Sequence, residues 1–257
     1  MVDRSASRGN AGYRAIADAL REEIDKGGLP PGSKVPSENE LMSTYGVEQP
    51  TARRALDVLK NEGLIVARRG AGTFVREFRL YRRRSPARLA ESGWGAGGSI
   101  WTSDDAERHT SVDSIEITTV DAPDHVAAVL ELADGAKALV RRRRYLVDDT
   151  PVQFATSYYP EHLVRGTRVA EANTGTGGVY ARLAELGHRP VNFREELRAR
   201  MPRDSETKLL ELAQGTPVIM VVRTAFTAKG QAVEVNEMIL DASSYILEYD
   251  FTSNESN

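Results

Sequence analysis

The chain has 257 residues, 40% apolar and 28% charged, with no cysteine; it is long enough for two domains, and disulfide frameworks, thiolate metal sites and cysteine nucleophiles are excluded. No run of about 18 apolar residues is present to span a membrane, and the first residues, with Arg4 and Arg8 among Ser, Ala, Gly and Asn, lack the apolar core of a signal peptide, so a cytoplasmic protein is expected. The net charge of −3 hides an asymmetry: residues 1–84 carry 16 Lys and Arg against 11 Asp and Glu, the remainder 18 against 26, so the head is expected to meet a polyanion and the body not.

Tyr13, Ile16, Ala17, Leu20 and Ile24 share one helical face, predicting a helix from about Tyr13 to Lys26 that stops at Gly27-Gly28. Leu29-Pro30-Pro31-Gly32 forbids its continuation. Ser37-Glu38-Asn39-Glu40 has the pattern of a capping box opening a second, short helix through Leu41 and Tyr45, which Gly46 ends. Ala52, Ala55, Leu56 and Leu59 line a third helix up to Gly63, and Pro50 fits only its first turn. Two short helices joined by a tight turn at Gly46-Val47 form a helix-turn-helix, whose second helix suits a major groove. Gln49, Thr51, Arg53, Arg54, Asp57 and Lys60 lie opposite its apolar stripe, and their amide, hydroxyl and guanidinium groups read base edges and phosphates. Leu64–Ala67 and Thr73–Val75 are expected as strands around Arg68-Arg69-Gly70-Ala71-Gly72, a basic wing with charge for phosphate or minor-groove contact.

Residues 78–111 read as a linker. Arg79, Arg82, Arg83, Arg84 and Arg88 precede a glycine-rich run from Gly93 to Ser99, with too little apolar periodicity for a core element. Both a solvated hinge and a track along the DNA backbone fit these arginines, and Trp94 or Trp101 is expected to pack on the second domain.

From about 112 to 251 strands and helices mix. Alternation predicts a strand at Ile115–Thr118, a helix over Pro123–Glu131, and strands at Ala138–Leu146 and Val152–Tyr159 joined at Asp148-Asp149. A helix over Val179–Leu186, a strand over Val191–Met201, a short helix over Ser205–Leu212 and two strands, Val218–Thr227 and Ala232–Ile239, follow, with Tyr245–Tyr249 as an edge. Hairpins joined by short helices make this an α+β domain with a mainly antiparallel sheet. Arg141-Arg142-Arg143-Arg144 falls within a strand, so two can face a pocket, while cross-strand pairing with acids suits three of the four. His109, His125, His162 and His188 lack ligand spacing, and no metal or cofactor is expected.

Pro31–Glu38, Tyr45-Gly46-Val47, Thr51–Leu56 and Gly63–Val75 resemble the GntR family of bacterial regulators over residues 13–76, and the domain is placed at 10–77. The resemblance implies operator contacts from Asn39, Gln49, Thr51, Arg53 and Gly70. With their neighbours Ser37, Pro50 and Arg54, and Arg68, Arg69 and Gly72 of the wing, these make up the expected DNA-contacting set. Asn39 and Gln49 depart from the family's usual arginines and pair well with adenine, so the operator is expected to shift toward A·T there. Glu48 would repel phosphate unless it serves as the third helix's N-cap. Asp134-Gly135, Arg143, Thr150-Pro151-Val152, Thr156–Pro160, Leu183–Gly187 and Ala232-Val233-Glu234 resemble the chorismate-lyase-like UTRA domain of the HutC subfamily. This implies a small-molecule pocket, dimerisation and ligand-controlled DNA binding.

Arg143, Tyr145, Gln153, Ser157, Tyr158, Glu234 and Asn236, with Trp101, are the candidate ligand contacts. Tyr145 and Ala155 stand where sugar-phosphate sensors of this type place Arg and Glu, so the effector is expected to be less charged than a hexosamine phosphate. The expected function is a homodimeric, ligand-responsive repressor on a pseudo-palindromic operator, not an enzyme. The alternatives are a plasmid or chromosome protein that binds DNA without an effector, and a chorismate-lyase-like enzyme, for which no acid, base or nucleophile network is found.

Overall fold

A computed structural model describes residues 12–78, 80–85, 87–90, 94 and 109–250. They fall into two compact units, the first ending at Arg79 and including Leu212–Thr216, the second holding Leu80–Glu211 and the residues from Pro217 onward.

In the first unit α1 (Tyr13–Asp25), α2 (Glu38–Tyr45) and α3 (Gln49–Asn61) bury Ile16, Ala17, Leu20, Leu41, Ala52, Ala55, Leu56 and Leu59 in one core. The capping box at Ser37 is present: the Glu40 amide donates to Ser37 Oγ at 3.3 Å and the Ser37 amide donates to Glu40 Oε2 at 2.7 Å. Gly46, at φ 65°, turns the chain out of α2 into α3. Strands β1 (Ile65–Arg68) and β2 (Gly72–Val75) pair antiparallel, with Arg68 opposite Gly72. Both residues therefore stand on the strands rather than in the turn, which narrows to Arg69-Gly70-Ala71.

The second unit is built on a six-stranded antiparallel sheet: β4 (Thr110–Asp121), β5 (Lys137–Val147), β6 (Thr150–Pro160), β9 (Ala232–Asp241), β8 (Val218–Phe226) and β7 (Asn192–Arg200), in that spatial order. Asp148 and Asp149, both at positive φ, close the β5–β6 hairpin. Short helices α4 (Asp124–Val129), α5 (Glu161–Val164), α6 (Gly178–Glu185) and α7 (Asp204–Leu209) connect the strands. Tyr180 and Leu183 of α6 pack on Tyr159 and Ala225 on one face. Val126 and Leu130 cover Val140, Tyr158 and Val235 on the other.

Part of the expected linker is structured. Tyr81–Ser85 forms β3, which pairs in parallel with β10 (Tyr245–Tyr249), so β10 joins a separate ribbon and not the edge of the main sheet. Strand alternation sorts the arginine run: Arg82 and Arg84 reach out to Glu248, while Arg83 turns inward, fully buried, onto Glu195 of β7. Trp94 is also buried, its indole N–H donating to the Leu89 carbonyl at 3.1 Å. A solvated hinge does not describe Tyr81–Ser85, where two-residue periodicity in a five-residue polar strand is masked because the buried residue is itself an arginine. Trp101 lies outside the described residues. Among the described residues no helix is long and apolar enough to cross a membrane.

Burial alone would raise the Glu195 carboxyl, but the hydrogen bonds and charge of Arg83 hold it down at about 2. A depressed carboxylate stabilises the fold above its unfolded value and loses that contribution as pH falls toward 2. Urea unfolding at pH 7 should find Glu195→Gln destabilised by about 3 kcal/mol, and the gap to wild type should close as the medium is acidified below the ordinary carboxylate range. A gap constant with pH would show that the pair is not the cause.

Candidate functional site

The first unit presents α3 and the wing. Pro50 and Arg53 are exposed on α3, Thr51 is half-buried, and Asn39 is exposed on α2. Glu38, which was not among the candidates, grips two of the candidate base-reading side chains of α3: it accepts from Gln49 Nε2 at 2.8 Å and from Arg53 Nε at 3.0 Å. Arg53, then Gln49, hold the Glu38 carboxyl below its usual range. This orders the two residues before any DNA arrives, which lowers the entropy lost on binding. Glu48 occupies the N-cap position of α3 but makes no side-chain cap bond, so the protective role considered for it is absent. Ser37 has its hydroxyl committed to the capping box, donating to Glu40 Oε2 at 2.7 Å.

Arg54 stacks on the Tyr13 ring at 5.4 Å, and Arg68 on the Phe74 ring at 4.6 Å, so both have their guanidinium planes fixed. Arg69 and Gly70 stand exposed at the wing tip. The segment around Lys34 bridges to Phe74, adding a third chain to the wing. At Gly72, φ is 115° and a Cβ would come within 3.0 Å of Lys34 Cε, so glycine here admits the lysine stem. Lys34 is thus a further basic group beside the wing, in a segment that sequence periodicity does not mark as a strand.

The second unit contains a cavity of about 220 Å³ on the α6 face of the sheet. Of the expected ligand contacts, Arg143, Tyr145, Gln153, Glu234 and Asn236 line it. Ser157 is buried just beneath, accepting from Arg143 Nη2 at 2.5 Å. Tyr158 does not face the cavity: adjacent residues of a strand point to opposite sides, and Tyr158 packs with Val126 and Leu130 on the far face. Its neighbour Tyr159 is the tyrosine in the wall. Lining residues that were not anticipated as contacts include Arg88, Arg141, Tyr180 and Arg223. One row of the sheet runs Arg141, Ser157, Asn236, Arg223, Glu195 across β5, β6, β9, β8 and β7. Only two of the four consecutive arginines pair with acids across strands, Arg142 with Glu116 and Arg144 with Asp113.

Glu234 accepts from Tyr159 Oη at 2.5 Å and Tyr180 Oη at 2.6 Å. Burial, with the Glu234 charge beside it, pushes the pKa of both hydroxyls far up, so they stay protonated and donate. Arg141 donates to the carbonyls of Val169 at 2.6 Å and Ala172 at 3.2 Å, and also to that of Glu171, clamping the chain over the sheet. Four guanidiniums against one carboxylate make the lining strongly cationic. Arg141 from the run, and Arg88 and Arg223 from outside it, bring charge to the lining that Tyr145 does not.

Residues 12–75 match the bacterial regulatory proteins of the gntR family, and residues 105–246 match the UTRA domain. The HTH-type transcriptional regulator SCO4628 of Streptomyces coelicolor is 32% identical, covering 93% of this chain and 92% of its own. This chain belongs to the GntR family, with a UTRA domain. Among other relatives of this GntR regulator, Rv0792c of Mycobacterium tuberculosis is 30% identical over 91% of this chain and 84% of its own, and the repressor NagR of Bacillus subtilis 25% over 91% of each. A crystal structure of a GntR-family transcriptional regulator superposes with a TM-score of 0.67 at 25% identity, covering 96% of this chain and all of that one. PhnF from Mycobacterium smegmatis, at 20% identity and a TM-score of 0.56 over 93% of this chain and all of its own, shares the fold.

The α3 and wing arginines of this GntR protein should separate by mutation. Arg53→Ala should cost about 1–3 kcal/mol on operator DNA and relax base preference. Arg69→Ala should weaken operator and random DNA alike and lower the salt slope by about one unit. Equal, salt-independent losses from both changes would contradict this division.

Proposed function

We propose that this regulator is a repressor that binds a pseudo-palindromic operator as a homodimer in the cytoplasm and is modulated by a small anion in the arginine-lined cavity. The carrying observation is the cavity itself: Arg141 and Arg223 are 2% and 5% exposed, and a buried guanidinium without an anion is expensive to keep. The electrostatic signature therefore favours a negatively charged effector over a neutral one. We read Arg53, Gln49 and Thr51 as the base-reading set, Arg68, Arg69 and Lys34 as backbone contacts, and Asn39 as a peripheral contact.

Three considerations support the rest. One short recognition helix reads only a few base pairs, so two-fold related copies are needed for a specific site. NagR is named as a repressor, and it is similar to this chain along its length. A regulator reading is favoured over an enzyme because Glu234, the carboxylate among the described lining residues, is engaged by two tyrosines, and those described lining residues include no histidine.

Light scattering should give twice the 28.3 kDa chain mass, and footprinting should protect two half-sites about 10 bp apart, centre to centre. A monomer protecting one asymmetric half-site would overturn the dimer reading.

A further inference from the structure

The cavity's free hydrogen-bonding capacity is arranged in a pattern. Arg143 stands on β5 and Arg223 on β8, separated by β6 and β9, so their backbones are about 14 Å apart at roughly 4.8 Å per strand. Arg143 is held by Ser157 of β6 and lies 5.7 Å from the Tyr145 ring, while Arg223 lies 5.6 Å from the Tyr180 ring. Arg143 Nε, and Arg223 Nε and Nη1, are buried without a hydrogen-bond partner. Between them, on the two central strands, Gln153 Oε1 and Asn236 Oδ1 are likewise buried without a donor, on side chains 3% and 4% exposed. Glu234 already accepts a tyrosine hydroxyl on each of its oxygens.

Resting on the reading of this cavity as the effector site, we propose that the effector is a compact hydroxylated dicarboxylate, with one carboxylate on Arg143, the other on Arg223, and hydroxyl groups on Gln153 and Asn236 between them. A carboxylate takes two parallel N–H donors from a guanidinium, which suits one acid group at each pole. A single phosphate needs cations converging on one point, whereas the two available forks rise from strands separated by two others. A neutral polyol brings no charge to either guanidinium. A carboxamide accepts from or donates to a hydroxyl, so hydroxyl groups satisfy the middle of the site where bare methylenes do not. The volume of about 220 Å³ lies below that of pockets for drug-sized ligands and suits a chain of about four to six carbons.

Titration calorimetry on the full chain tests this, with D-glucarate and L-tartrate as hydroxylated diacids, D-gluconate as a monoacid, adipate as a diacid without hydroxyls, and glucosamine-6-phosphate as a phosphorylated sugar. At least one hydroxylated diacid should bind with micromolar affinity, gluconate at least 30-fold and adipate about tenfold more weakly. Arg143→Lys and Arg223→Lys, which retain the charge and guard against misfolding, should each weaken the diacid at least tenfold while leaving the already weak gluconate nearly unchanged in one of the two. Equal or tighter binding of gluconate or glucosamine-6-phosphate, or no binding by either hydroxylated diacid, would overturn the proposal. If a bound probe of any class alters operator affinity, the effector-site reading stands even when the diacid does not bind; if a probe fills the cavity and operator affinity does not move, that reading fails with it.

Discussion

Successive side chains of a β-strand point to opposite faces, and in this protein that constraint decides what a run of arginines does. On β5, Arg142 and Arg144 go outward to Glu116 and Asp113, while Arg141 and Arg143 go inward to the cavity. On β3, Arg82 and Arg84 go outward to Glu248, and Arg83 goes inward to Glu195. The outward pairs are exposed and contribute little to stability. The inward ones are desolvated, and each requires a compensating group: a carboxylate for Arg83, three backbone carbonyls for Arg141, a hydroxyl for Arg143 and an aromatic face for Arg223. Arg83 is matched by a carboxylate in direct contact, whereas the described lining of the cavity holds more guanidinium than carboxylate groups, and the proposal of an anionic effector rests on that imbalance.

The two units handle charge in contrasting ways. In the first, Glu38 neutralises Arg53 from the solvent side in an exposed pair that DNA phosphates and bases can exchange for their own acceptors. In the second, Tyr159 and Tyr180 hold Glu234 in place by donating to it, and its charge acts on both Arg143 and Arg223. A surface meant to meet a polyanion keeps its cations ordered and accessible, whereas a cavity meant for a small anion keeps them dry, where each interaction is stronger.

Much of the fold was legible. The capping box at Ser37, the apolar stripe of α3, the Asp148-Asp149 turn and the β5–β6 hairpin follow from local chemistry, and their order carried the family resemblance. The wing needed Gly70 and Gly72, both visible. The segment 81–94 was not legible, because its pairing partner β10 lies more than 150 residues away in sequence and its buried members include an arginine. Five of eight candidate ligand contacts line the cavity, and Ser157 supports one of them. Tyr158 was misassigned by ignoring alternation, since a strand that turns Ser157 inward must turn Tyr158 away. Arg88 and Arg223 gave no sequence signal for the cavity, as each reaches it only through long-range strand and loop placement. Glu38 could have been anticipated from its position at the start of α2, facing the first turn of the next helix.

Occupancy of the arginine-lined cavity is proposed to set affinity for DNA. Fluorescence anisotropy of operator DNA with the full chain, read with and without a saturating anion whose cavity occupancy is established by crystallography, addresses this directly. The claim predicts at least a tenfold change in operator Kd that disappears in Arg223→Gln under the same conditions. An occupied cavity with an unchanged operator Kd would contradict it.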